Sequence, residues 1–307
     1  MGKDLLAYTA GHFELALDQA KSSCYLKSVD GGFMSHSAVT EQIGGDNKFI
    51  RHSAVADVEP VTFEIGMSGS TSVLKWIQDS WDKEYQQRSG QINHANFNMD
   101  TVFEHQFSDA LITETTFPTL DGSSKDAAYL KVKFQPKAVA TKKVSGPKIS
   151  PVGGAKQKMW LCNAFRLNID GIDEAMYANK IESFTIKQSV KKLFTGKFRE
   201  IELCPTKIEF PNLSATIALA KADGILDWYD KYVARGKKDT DAQKGGSIEF
   251  LTPDRKQTLF RITLFNMGIT KAQIQASTAN ADQIKRVKFE LYVSDMKLDG
   301  PGALGLE

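Results

Sequence analysis

Cysteine is scarce in this chain: Cys24, Cys162 and Cys204 are an odd number with no Cys-x-x-Cys spacing. That excludes a disulfide frame and a cysteine-built zinc site, and leaves three small buried hydrophobes. Histidine is as thin. All five, at positions 12, 36, 52, 94 and 105, precede residue 106, and none sits at a metal-binding spacing such as His-x-x-x-His. No apolar run approaches the ~20 residues that cross a bilayer, so no membrane partner is expected. The opening stretch, MGKDLLAYTAGHFELALD, lacks the basic start and unbroken apolar core of a secretory signal. Synthesis in the cytoplasm is therefore expected.

What is present describes a globular protein. A content of 41% hydrophobic and 25% charged residues excludes a disordered tail, and 307 residues suffice for two domains with a core each. Net charge is +2 but uneven: residues 1–136 carry a net −7, residues 137–158 carry six Lys and no acid, and residues 159–307 carry a net +3. A nucleic-acid reader concentrates basic residues on a folded face. Here they concentrate in a Pro- and Gly-bearing segment, so sequence-specific DNA binding is not expected.

The chain repeats itself. ILDWYDKY (225–232) echoes VLKWIQDSWDKEY (73–85), 152 residues earlier, and the offset can be walked. FELALD (13–18) falls on FRLNID (165–170), keeping Phe13, Leu15 and Leu17 on Phe165, Leu167 and Ile169. Val61, Phe63, Ile65 and Met67 fall on Leu213, Ala215, Ile217 and Leu219. Such alternation marks strands with one buried face. Beyond residue 81 the offset drifts: FEHQF (103–107) meets FRITL (260–264) at 157, and KVKF (131–134) meets RVKF (286–289) at 155. Insertions are tolerated in loops and not in ladders, so two copies of one domain are predicted.

The expected boundaries are a first domain at 1–136, a basic Pro/Gly linker at 137–158 and a second domain at 159–307. The fold class is mainly β with a flanking helix (α+β), as two tandem β-barrel or sandwich domains with one Trp-bearing helix each. The helices begin near Thr71 and Asp223, both acceptable N-caps. Leu74, Trp76 and Ile77 in one, and Leu226, Trp228 and Tyr229 in the other, stand at helical spacing and form the structural core of each helix.

No catalytic set emerges. GMSGS (66–70) lacks the Gly-x-Ser-x-Gly spacing of a nucleophile elbow, and FTGKFRE (194–200) lacks the preceding glycine of a P-loop. His105 occupies a strand position held by Ile262 in the second copy, so it is expected to point inward. Asp79/Asp82 and Asp227/Asp230 read as solvated helical faces. Neither an active site nor a cofactor is predicted.

The order of these segments carries a resemblance. A strand such as FRLNIDG opens each unit. A Trp helix follows ATIALAKADGILDWYDK, then come GGSIEFLTPDRKQTLFRITLFNMGIT and RVKFELYVSDMKLD. This resembles the phage tail tube family of contractile tails and contractile injection systems, to which the type VI secretion tube protein is related. The second copy carries the likeness best, and the first is a looser version.

The resemblance implies a non-enzymatic structural protein whose rings stack into a hollow conduit for DNA or an effector. It implies a virion tail or assembled injection particle as its place, and as partners copies of itself, a sheath, and baseplate or terminator proteins. Two domains per chain depart from the one-domain pattern and leave two arrangements open, three chains in a pseudo-six-fold ring or six chains spanning two layers. TEQIGGDNKFIRHSAVAD (40–57) and KQSVKKLFTGKFREIE (187–202) are candidate channel or inter-ring stretches. The alternatives are a baseplate tube-initiator or hub protein with tandem tube domains and, further off, a ligand-binding β-barrel protein or hydrolase.

Overall fold

The computed structural model describes residues 11–18, 24–44, 48–66, 70–149, 160–195, 201–236, 242–276 and 284–300. Most of GMSGS, most of FTGKFRE and the end of the linker segment lie outside them.

The first unit runs β1 (His12–Leu17), β2 (Cys24–Gly31), β3 (Met34–Ser35), β4 (Ala38–Ile43), β5 (Lys48–Ser53), β6 (Asp57–Val58), β7 (Val61–Ile65) and α1 (Thr71–Trp81). It continues with β8 (Arg88–Ala95), β9 (Thr101–Phe117), β10 (Leu120–Asp121), β11 (Leu130–Gln135) and β12 (Ala138–Lys143). Six of these strands close a ring: β1 pairs β2, β2 pairs β7, β7 pairs β11, β11 pairs β9, β9 pairs β8, and β8 returns to β1. Closure removes sheet edges within the ring. The alternating Leu15, Val61, Phe63, Ile65, Ile92, Val132 and Phe134 point inside and are fully buried.

The second unit runs β13 (Phe165–Ile169), a 3-10 turn (Asp173–Tyr177), β14 (Ala178–Ile181), β15 (Phe184–Phe194), β16 (Ile201–Glu209) and β17 (Leu213–Ala218). Then come α2 (Asp223–Tyr229), a π-helical turn (Asp230–Ala234), β18 (Lys244–Leu251), β19 (Thr258–Ile274), β20 (Arg286–Tyr292) and β21 (Asp295–Asp299). Its ladders reproduce those of the first unit in the same order and register. Phe13↔His94 recurs as Phe165↔Phe250, Ile92↔His105 as Ile248↔Ile262, and Val139↔Phe107 as Leu264↔Met296.

The irregularities recur as well. The β2/β7 bulge between Leu26 and Ser28 returns between Ala178 and Lys180, and the β9/β11 bulge beside Phe134 returns between Ile269 and Lys271. At that second bulge the Thr113 hydroxyl donates to the Lys133 carbonyl (3.2 Å), as Thr270 does to Glu290 (3.1 Å). Asp109 and Asn266, 157 residues apart, share a φ of 49° where the long strand changes partners. A Cβ on Gly90 would stand 2.3 Å from the Ala16 carbonyl oxygen, and one on Gly246 2.3 Å from that of Asn168. Both positions need glycine for the same close approach.

One ladder of the first unit has no counterpart in the second. Among the described residues β13 and β14 share no ladder; the 3-10 turn stands between them, and β14 instead pairs β10 of the first unit.

Three sequence expectations are corrected. β11 corresponds to β20 at an offset of 157, not 155: Val132 opposite Phe63 matches Phe289 opposite Ala215. A slip of two residues keeps every side chain on its face, so alternation cannot detect it; the ladder can. The linker begins later than expected, because β12 pairs β9 along its length and Ile149 is buried. The two exposed lysines that end this strand, Lys142 and Lys143, hid an edge strand, a usual way to keep such edges from aggregating. Thr71 and Asp223 are the first helical residues rather than caps, which are Ser70 and Ala222.

The two tryptophans that the repeat pairs each donate their indole N–H to a carbonyl outside the helix at 3.1 Å, Trp76 to Gln86 and Trp228 to Ala242. Leu74, Trp76 and Ile77 are fully buried and Trp228 is buried, whereas Leu226 and Tyr229 are half-buried against the same core. Trp76→Ala should cost about 3–5 kcal/mol, by the lost burial and the cavity left behind. Trp228→Ala should cost less, because its helix is less covered. Denaturant titration of both variants checks the order.

Candidate assembly interface

The long hairpin of the second unit continues the sheet of the first. β15 adds to the outer edge of β9 with Phe184↔Phe117, Thr185↔Thr116, Ile186↔Thr115 and Lys187↔Glu114. The Thr116 and Thr185 hydroxyls meet at 2.9 Å. Phe117 stacks on Phe184 (5.0 Å) and on Phe250 (5.6 Å), so one first-unit ring sits in the second-unit core. Each such side chain contributes about 1.5–3 kcal/mol of burial. Leu111 packs with Ile201 and Leu203 of the hairpin, and Lys192 donates to Asp57 (2.6 Å) and to the Val58 carbonyl (3.1 Å).

Helix α1 takes part. Ser80 donates to the Gln188 side-chain oxygen, and Trp81 meets Phe210 edge-on at 6.3 Å. Asp79, read from sequence as solvated, is buried because this face lies toward β21. Lys75 (2.7 Å) and Arg88 (3.5 Å) neutralise it. Its counterpart in the second unit is the exposed Lys231.

The repeat exposes the other half of this junction. The first unit owns the equivalent hairpin, with β3 paired to β6 at the base and β4 paired to β5 beyond. Every described residue of β4 and β5 is exposed. Two strands alone are marginal in water. Ile186 is 2% exposed and its counterpart Met34 is 52%; Ile201 is 3% and Phe49 is 60%; Phe117 is 0% and Ile274 is 56%. Residues buried between the units are thus repeated, apolar and open, at the two ends of the chain. The stretches 40–57 and 187–202 are the arms of these two hairpins. Residues 45–47 and 196–200 lie outside the described parts.

His105 anchors the base of the open hairpin. Its Nε2 donates to the Gly32 carbonyl at 2.6 Å, and its ring lies 5.2 Å from that of Phe33. Burial holds its pKa below the ordinary 6.5, partly offset by the Gly32 bond. Cys24 is fully buried, its thiol pushed up to about 12 by burial and by Glu14.

A groove of about 850 Å³ runs over β1, β8, β9 and β12. Asp18 is the ionisable group lining it, and Arg88 already pairs with that carboxylate. Among the described residues no three His, Cys, Asp or Glu side chains stand close enough to share a metal ion. The helix-core residues named from sequence lie on their own sheets and do not form a site. Met34, Phe49, Phe117, Phe184, Ile186 and Ile274 were missed, although the repeat offset could have paired them.

A lowered histidine pKa means that the unfolded chain takes up the proton first. The His105 contribution is therefore whole above pH 6.5 and shrinks as pH falls toward the folded value. His105→Ile, the second unit's residue, should lower stability at pH 7.5 by leaving the Gly32 carbonyl unpaired, yet flatten the loss between pH 6.5 and 5. Thermal melts of both proteins across that range check it.

Residues 9–140 match the family described as T4-like virus tail tube protein gp19. No curated protein sequence matches the chain. Among solved structures, the chain is similar to one from the sheath-tube complex of an extracellular contractile injection system, PVC, in the extended state. That likeness has 17% identity, covers 46% of this chain and 95% of that one, and has a TM-score of 0.41. A chain of the anti-feeding prophage tube-terminating cap is 13% identical over 47% of this chain and 96% of its own, at 0.40. Hcp1 from Flavobacterium johnsoniae is 12% identical over 45% and 95%, at 0.27.

Proposed function

From a first unit that matches the T4-like virus tail tube family, we propose that this chain is a non-enzymatic structural tube protein. Its copies join edge to edge into rings that stack into a conduit. The observation that carries the reading is the junction of β15 with β9, together with its unmatched halves at Met34, Phe49 and Ile274. Exposed apolar edges of this kind are a liability unless another chain completes them.

The junction extends one sheet sideways, which favours both units lying in the same layer. Each chain then supplies two positions of a ring, and a six-position ring takes three chains. The described residues of the two domains run over 11–149 and 160–300, with β12 belonging to the first. Sheath, baseplate and terminator proteins are the partners outside the ring, and DNA or an effector is the cargo. The assembled tail or injection particle is its place after cytoplasmic synthesis. A second reading, a tube-initiating hub protein at a baseplate, is favoured by the unlike closure of the two units, which would make alternate ring positions different.

Negative-stain microscopy of the purified protein at rising concentration separates the readings. Long tubes support the polymer, isolated rings support the hub, and solitary particles at every concentration contradict both. The acidic first unit and the basic remainder should also attract each other across the contact. Assembly should therefore weaken as salt rises from about 0.05 to 0.5 M, which shortens the Debye length. Sedimentation that does not change over that range would remove charge as a contributor.

A further inference from the structure

Resting on the tube reading, we propose that the hairpin base Phe33–Ser35 of one copy adds to the free edge of β19 in a second copy. The register is antiparallel, with Phe33 opposite Gln273, Met34 opposite Ala272 and Ser35 opposite Lys271. The partner is another molecule of this chain, and the joint is the internal junction repeated between molecules.

The free edge is identifiable from the first unit. There, β8 follows one edge of β9 as far as Ala110, and β15 takes over that edge from Glu114 to Phe117. In the second unit β18 follows the same edge of β19 as far as Met267. Residues Gly268–Ile274 pair β20 on the opposite side, and no described strand continues along the first. This stretch is the counterpart of the docking segment of β9 by an offset that four ladders share.

The incoming strand is identifiable in the same way. Residues 184–187 of the second unit correspond to 32–35 of the first, and β6 at the base corresponds to the end of β16. Gly32 does not join the ladder. Its φ of 81° and its approach to His105 turn the chain, so pairing begins at Phe33. Met34 then enters a slot like that of Ile186, and Phe49 follows along the same hairpin to cover the edge, as Ile201 does inside the chain.

Because the two surfaces differ, the contact is heterologous: it closes into a ring of whole chains or runs on as an open filament. Within one chain the second hairpin occupies β9, and among the described residues the first hairpin does not pair β19.

Paired cysteines test the register in the full-length protein, with Cys204→Ser to remove the one native thiol that is not buried. The pairs are Phe33→Cys with Gln273→Cys, and Met34→Cys with Ala272→Cys. Adjacent antiparallel pairs alternate between closer and wider spacing, so one of the two should oxidise readily. Met34→Cys with Thr270→Cys is the slipped control. Non-reducing electrophoresis should show multiples of 34.0 kDa for a matched pair and single chains for the control.

Hydrogen exchange on the unmodified protein is the second measurement, and needs no variant to fold. Amides of 271–274 and 33–35 should exchange more slowly in assembled material than in dilute chains. Rings that show neither a matched cross-link nor slower exchange overturn the docking and leave the tube reading standing. A cross-link in the control alone overturns the register. Chains that never assemble overturn both.

Discussion

A strand edge carries a row of backbone donors and acceptors that must be paired, and this molecule is organised around one long edge that cannot pair them all within its own unit. β9 and β19 are each 17 residues long. Near one end they serve a barrel, flanked by β8 and β12 or by β18 and β21. Past the turn at Asp109 or Asn266 they offer a stretch flanked within the unit on one side only. In the first unit the vacant side is filled from within the chain. The price of a β edge left in water is aggregation or partner capture, and duplication resolves half of that problem while reproducing the other half at the ends.

The physical logic also explains why the two units differ where they do. Helix α1 buries Asp79, Ser80 and Trp81 because it lies inside the joint, and the matching turns of the second unit are more open. The first barrel closes through β1 and β2. The second leaves that position to a 3-10 turn, with β10 reaching over from the first unit to pair β14.

Much of this was legible in the sequence, and the part that was not has a common cause. The helical stripe through Trp76 and the offset of 152 survive as burial and register, and Val61, Phe63 and Ile65 alternate as expected; β1 does not, since Glu14 and Ala16 are buried beside Leu15 and Leu17 and Phe13 is only half-buried. His105, placed opposite Ile262 by that offset, is indeed inside. KVKF misled because strands have a period of two and tolerate a slip of two. β12 escaped notice because lysines sit on its exposed end. Asp79 looked solvated because nothing local shows what a helix face will meet. Phe117 and Phe184 are 67 positions apart in sequence, and only a ladder between strands of different units brings their rings together. Long-range register is the information that composition and local periodicity do not hold. The repeat could have supplied some of it, since Gly90 and Gly246 mark the same crossing in both copies.

The central claim is that both units occupy one layer, joined alike inside and between chains. The rotational symmetry of a single ring tests it most directly, by averaged end-on images combined with the ring's mass. The account predicts twice as many density lobes around the ring as there are chains in it. A ring with one lobe per chain, its second units in the layer above, would contradict it.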